Sequence, residues 1–162
     1  MKRLICLLLS FCFFSGCSII GERVKDPVTF YYIRDDYRRD MGSVIGSEIR
    51  EASGHKDDLP YLLALYSMGP SEKGLYSPFP ANTRITPTEH TEEGIVLSLS
   101  EVPESMTDAE YTLVCVCLAM TCMELTDEDQ ITVICADRSV TINTENLMMY
   151  ETGPQGPLED TK

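Results

Sequence analysis

Between Leu113 and Met123 the chain carries a single polar side chain, Thr121. Just upstream, Thr107-Asp108-Ala109-Glu110 fits a capping box, in which the Thr hydroxyl takes one free amide proton and the Glu carboxylate reaches back to another. A helix that starts there and runs to about Leu125 is apolar nearly all round, and such a helix has to be surrounded. The eleven-residue run is too short to cross a bilayer, which takes about 17 to 25 residues. It is therefore expected in the centre of a core, the alternative being that a spare face meets a partner. Whatever else the chain folds into must cover this helix on most sides.

Short strands supply the cover. Pro27 opens Val28-Thr29-Phe30-Tyr31-Tyr32-Ile33, whose β-branched and aromatic residues predict a strand. The charged stretch from Arg34 to Asp40 reads as an exposed loop, and a weaker strand follows near Val44 to Glu51. Asp57 and Asp58 can cap a helix that begins around Leu59-Pro60, with Leu62, Leu63, Leu65 and Tyr66 as its apolar stripe and Gly69-Pro70 as its stop. Residues 71–80, with Gly74, Pro78 and Pro80, are expected to hold no regular element and to form a loop long enough for a contact site. The segments from Thr83 to Thr86 and from Ile95 to Ser100 flank a polar turn with Glu92, Glu93 and Gly94, a β-hairpin pattern. A closing pair from Ile131 to Cys135 and from Val140 to Ile142 turns around Asp137-Arg138, with Ile131, Val133 and Cys135 pointing inward. The order ββαββαββ predicts an α+β fold: an open two-layer sandwich, a mostly antiparallel sheet with two helices on one face.

The N-terminus is an address, not fold material. Lys2 and Arg3 precede an apolar run from Leu4 to Phe14 and the small residues Ser15 and Gly16, the pattern of a secretory signal peptide. Phe14-Ser15-Gly16-Cys17 resembles the lipobox of bacterial lipoproteins, with Phe where Leu is usual; the resemblance implies that Cys17 becomes the acylated first residue of the mature protein. The other reading is an uncleaved apolar anchor from Leu4 to Ile20. The resulting organisation is a signal peptide over 1–16, a lipid-anchored Cys17 and short spacer over 17–27, one domain over 28–150, and a tail without structure over 151–162. Removing Lys2 and Arg3 leaves 11 basic against 26 acidic side chains, a net charge of −15. Such a surface repels nucleic acid and anionic headgroups.

Cysteine usage does not describe a disulfide scaffold. Cys6 and Cys12 lie in the signal and Cys17 is assigned to lipid, which leaves Cys115, Cys117, Cys122 and Cys135. Cys115 and Cys122 share a helix face two turns apart, roughly 10 Å, beyond disulfide reach. At most Cys135 bridges to one of the helical three; small buried apolar side chains are the favoured role. The spacing fits no zinc pattern, and His55 and His90 sit in polar, turn-like sequence. Asp127 to Ile131 lacks the Gly and distal Glu of a calcium loop. No nucleophile elbow, phosphate loop or metalloprotease motif is present, so neither catalytic residues nor a cofactor or metal site are expected.

Several strings in this order resemble the sporulation and spore germination (GerMN) domain of Gram-positive bacteria, over about Val28 to Tyr150. They are Leu62-Leu63-Ala64-Leu65-Tyr66-Ser67-Met68-Gly69-Pro70 at the end of the first helix, Pro78-Phe79-Pro80-Ala81-Asn82-Thr83-Arg84-Ile85, and Glu93-Gly94-Ile95-Val96-Leu97-Ser98-Leu99-Ser100, followed by the long helix and a closing hairpin. Where the family often has Gly in that last turn, this chain has Arg138-Ser139. The resemblance implies a non-enzymatic, membrane-anchored envelope lipoprotein of sporulation or germination assemblies, whose partner is an envelope protein or the peptidoglycan. Alternatives are a peptidoglycan-acting hydrolase in which two distant acidic residues act as acid and base, and a small-ligand carrier.

Overall fold

The computed structural model describes residues 24–35, 43–80, 83–145 and 147. The signal segment, Cys17, most of the loop after Arg34 and the residues after Tyr150 lie outside them. Over the described residues the fold is α+β, with two helices and two open, mostly antiparallel sheets. In order the elements are β1 (Pro27–Arg34), β2 (Ile45–Glu51), α1 (Leu59–Ser67), β3 (Leu75–Tyr76), β4 (Ile85–Thr91), β5 (Gly94–Leu99), α2 (Asp108–Thr126), β6 (Gln130–Cys135) and β7 (Arg138–Asn143). The first sheet has the order β2-β1-β3 and the second β4-β5-β6-β7.

Helix α2 begins as its sequence predicts: Thr107 Oγ1 accepts from the Glu110 amide while the Glu110 carboxylate accepts from the Thr107 amide. Its buried residues include Tyr111, Val114, Cys115, Leu118 and Cys122, and it packs against β1 of the first sheet and β6 and β7 of the second. By length and composition alone α2 could cross a membrane; here it joins the two sheets around one core. It is also the crossover that makes β5 and β6 parallel neighbours, Ile95 opposite Ile131 and Leu97 opposite Val133, since parallel strands need a connection of this length. Ile131, Val133 and Cys135 point inward.

Why the strands form two sheets is visible at Tyr31. Its amide donates to Thr121 Oγ1 of α2 at 3.0 Å, and its carbonyl accepts from the Tyr66 hydroxyl of α1 at 2.7 Å. Helix side chains thus occupy the β1 edge where a further strand would pair. Beyond that point β3 takes over, with Ile33 opposite Tyr76. This short strand corrects the expectation that residues 71–80 hold no regular element: local Gly and Pro content does not register an edge strand two residues long.

The second hairpin is longer than expected, β4 running to Thr91 and leaving Glu92-Glu93 as the turn, with a bulge between Pro87 and Glu89 where proline has no amide to donate. Gly94 after that turn has φ 137°, and a Cβ there would lie 2.0 Å from the Gln130 carbonyl oxygen, so the β5–β6 approach needs glycine. The closing hairpin turns at Ala136-Asp137, with Cys135 opposite Arg138, one residue earlier than expected. Ala136 takes φ 54°, the left-handed conformation for which glycine is usual.

Candidate functional site

Two polar constructions and one apolar surface stand out. The first links β2 to the end of α1. Alternation along β2 puts Glu48 and Arg50 on the face that carries Phe30 and Tyr32 of β1, and the two charged side chains are 5% and 14% exposed. Arg50 Nε donates to Glu48 Oε1 at 2.6 Å, Nη1 donates to the Leu65 carbonyl at 3.1 Å, and Nη2 donates to the Gly69 carbonyl. Those carbonyls are of the kind that a helix end leaves without partners, and α1 has no basic residue of its own in its last turn. Arg50 supplies that cation from the neighbouring strand, with its guanidinium 5.6 Å from the Phe30 ring centre.

Glu48 completes the clamp by accepting from the amides of Ser71 and Glu72 and from the Ser71 hydroxyl. Burial alone would push its carboxyl up, but the bonds from Arg50, Ser71 and Glu72 outweigh that and hold it down at about 2. A carboxylate so fully engaged is a structural anion. It has no free oxygen lone pair aimed at a reactant, and it fixes the loop that was expected to be a contact site.

Buried aromatic residues surround this clamp. Tyr66 stacks on Tyr32 with ring centres 4.9 Å apart and meets Phe79 edge-on at 5.7 Å. The Tyr32 hydroxyl donates to the Tyr66 carbonyl at 3.1 Å. The cysteines continue the same apolar interior: Cys115, Cys117, Cys122 and Cys135 are free and buried. Burial pushes the Cys115 thiol up to about 11 and that of Cys117 up to about 12, and raises Cys122 as well, so these sulfurs are neutral and unreactive. The histidines lie on the surface. His55 stacks on Tyr61, and His90 Nε2 meets Glu128 Oε1 at 2.6 Å. Among the described residues, no group of three or more His, Cys, Asp or Glu is placed to hold a metal ion.

The apolar surface is a groove of about 890 Å³ between α2 and the first sheet. Leu113, Val116 and Met120, one helical stripe of α2, form one wall; Val44, Ile45 and Tyr31 form the other, with Leu147 at the end. Among the described residues that line it, no side chain is charged, although charged residues make up 24% of the chain. The stripe is half-exposed while the opposite side of the helix is fully buried, so the helix is a core helix on one side and leaves an apolar face partly open on the other. The sequence signal was the lack of any polar residue on that stripe. Cys17, the one residue assigned a chemical role from sequence, lies outside the described residues.

No protein-family model matches the chain, and no curated protein matches it. Among solved structures, the fold is similar to that of a candidate lipoprotein from Clostridium perfringens, at 15% sequence identity and a TM-score of 0.45, over 74% of this chain and 88% of that one.

Proposed function

We propose that this chain is a non-enzymatic envelope lipoprotein, held at the membrane by acylated Cys17, whose GerMN-like domain docks a protein partner in sporulation or germination assemblies through the groove along α2. The observation that carries this reading is the apolar stripe Leu113, Val116 and Met120 along the groove, whose described lining carries no charge in an otherwise acidic protein. Exposed apolar surface of this kind marks interaction sites. A glycan would call for polar and charged groups along the lining, so an envelope protein presenting an apolar segment fits better than peptidoglycan. The lipobox-like tetrad supports the extracytoplasmic, membrane-anchored location.

Cross-linking in intact membranes tests the docking. The full chain should give a defined cross-linked protein that is lost in Val116→Asp with the far-UV spectrum unchanged; a cross-linked partner that survives the substitution sinks the groove as the docking surface. Cys17→Ala should move the chain from the membrane to the soluble fraction, and retention of Lys2 in the mature N-terminus would refute lipidation. Release of fragments from purified peptidoglycan by the solubilised protein would overturn the non-enzymatic reading. The groove volume also falls in the range of about 300 to 1,000 Å³ that holds small ligands, which favours a carrier as the second reading. Thermal shift against wall fragments separates the two, since a bound ligand raises the apparent melting temperature.

A further inference from the structure

The four-stranded sheet ends on two unlike edges. Strand β4 carries Pro87, a bulge between Pro87 and Glu89, and the charge of Glu89 itself, devices that keep one sheet from adding to another. Strand β7 has none of them. Its six residues pair with β6 without interruption, and its one charged side chain, Arg138, lies with its guanidinium 4.0 Å from the Tyr111 ring centre and donates to Asp108 Oδ1 at 2.9 Å. The phase of the β7 ladder is fixed at both ends: the two-residue turn Ala136-Asp137 closes on Cys135 and Arg138 as a bonded pair, and the Thr144 amide donates to the Asp129 carbonyl at 3.1 Å. Bonded and non-bonded pairs alternate along antiparallel strands. Arg138, Val140 and Ile142 therefore bond toward β6, and the amides and carbonyls of Ser139 and Thr141 face away from it. Among the described residues nothing pairs with those outward groups, and both side chains are exposed.

We propose that the outer edge of β7 takes an extended segment of another protein as a further strand of the second sheet, and that the segment is basic at its ends. Main-chain bonds to Ser139 and Thr141 hold such a segment, and its alternate side chains set the specificity. The exposed face beside the edge suits β-branched and hydroxylic side chains: Thr132 and Thr141 join their hydroxyls at 2.9 Å, with Ile134 and Ser139 exposed next to them. Charge selects the occupant. Exposed Asp137 stands at the turn end of β7, and exposed Asp129 and Glu145 stand at the other, so a lysine or arginine at either end of an added strand meets a carboxylate. A second copy of this chain pairing antiparallel along β7 instead brings Asp137 of each molecule toward Asp129 and Glu145 of the other, and like charges so placed are repulsive. The same carboxylates thus admit a basic strand and keep finished molecules apart. This edge is separate from the groove along α2, and neither assignment depends on the other.

Amide hydrogen exchange of the full chain in non-ionic detergent, followed residue by residue by NMR, tests the edge directly. Without any additive, Ser139 and Thr141 should exchange several-fold faster than Val140 and Ile142; equal protection would mean that this chain or a second copy already covers the edge, and would overturn the proposal. The probe is the capped peptide Lys-Thr-Val-Thr-Val-Lys. At millimolar concentration it should slow exchange at Ser139 and Thr141 several-fold, and a version N-methylated through its centre should not. No slowing, or equal slowing by the methylated peptide, would refute strand addition. Replacing both lysines by glutamate should weaken the effect several-fold, and an equal effect would refute the charge selection. Thr141→Pro removes an outward amide without touching the bonds to β6, so it should abolish the peptide's effect at Ser139 while Val140 and Ile142 stay protected; an effect that persists would place the peptide elsewhere. Val116→Asp in the groove should leave all of these results unchanged.

Discussion

Replacing Glu48 by Gln keeps the shape of the side chain and removes the charge that Arg50 faces. In the folded protein the carboxyl is held at about 2 against an ordinary value of 4.5. The gap between those values, at about 1.36 kcal/mol per pH unit, corresponds to about 3 kcal/mol of stability at neutral pH. Removing one partner of a buried pair costs about 3 to 5 kcal/mol, so the two routes to the magnitude agree. The folded-state value is the lower one, so the contribution is complete above about pH 5 and drains away as the pH falls toward about 2. Urea unfolding of both proteins, followed by far-UV circular dichroism from pH 7 down to pH 2, should therefore show Glu48→Gln less stable by about 3 kcal/mol at pH 7, with the gap closing below about pH 4. Other carboxylates titrate in both proteins and cancel in the difference. A gap under about 1 kcal/mol at neutral pH, or one that stays constant down to pH 2, would show that the clamp does not work through the charge.

Other perturbations test the remaining constructions. Thr121→Val preserves shape but strips the Tyr31 amide of its partner, and should cost about 1 to 3 kcal/mol in urea unfolding; Thr121→Ser should recover most of that, and equal losses in both would point to packing instead. Gly94→Ala meets both a positive φ and the Gln130 carbonyl, so a loss above about 2 kcal/mol is expected. A melting temperature within a degree of wild type would contradict the close approach of β5 to β6. A small maleimide at pH 8 should leave Cys115, Cys117 and Cys122 unmodified in the folded chain and modify them in urea, as mapped by peptide mass. Rapid native labelling of Cys117 would mean that α2 is less enclosed than its burial states.

Local signals carried most of the element assignments. The capping box at Thr107, the Asp58 cap whose carboxylate accepts from the Tyr61 amide and the Gly69 stop each depend on residues within one turn of one another. The buried role of the four cysteines followed from their surroundings in the same way. What was not legible is tertiary. The parallel pairing of β5 with β6 depends on where α2 returns the chain, and the division into two sheets depends on Thr121 and Tyr66 meeting Tyr31 from two different helices. Thr121 was conspicuous in the sequence as the lone polar residue of its run, which signals a buried polar group needing a partner, but the partner's identity required the fold. Glu48 and Arg50 were the largest omission. Two opposite charges at period two on a weak strand look like solvated residues until α1 closes over them. The candidate groove was half visible: the stripe on α2 could be read, the opposite wall could not.

The bond between Tyr31 and Thr121 spans 90 residues of sequence, and ribosomes deliver the N-terminal part of a chain first. Strands β1 and β2 can pair as soon as both have emerged, yet the polar groups at Tyr31 remain open until α1 and then α2 arrive. Pairing of β5 with β6 waits for the same helix. The first sheet made thus stays unsealed until α2 arrives, and a chain interrupted before Thr121 carries an aromatic strand with an edge ready to recruit another strand. It is the incomplete protein, rather than the finished one, that this architecture exposes to aggregation.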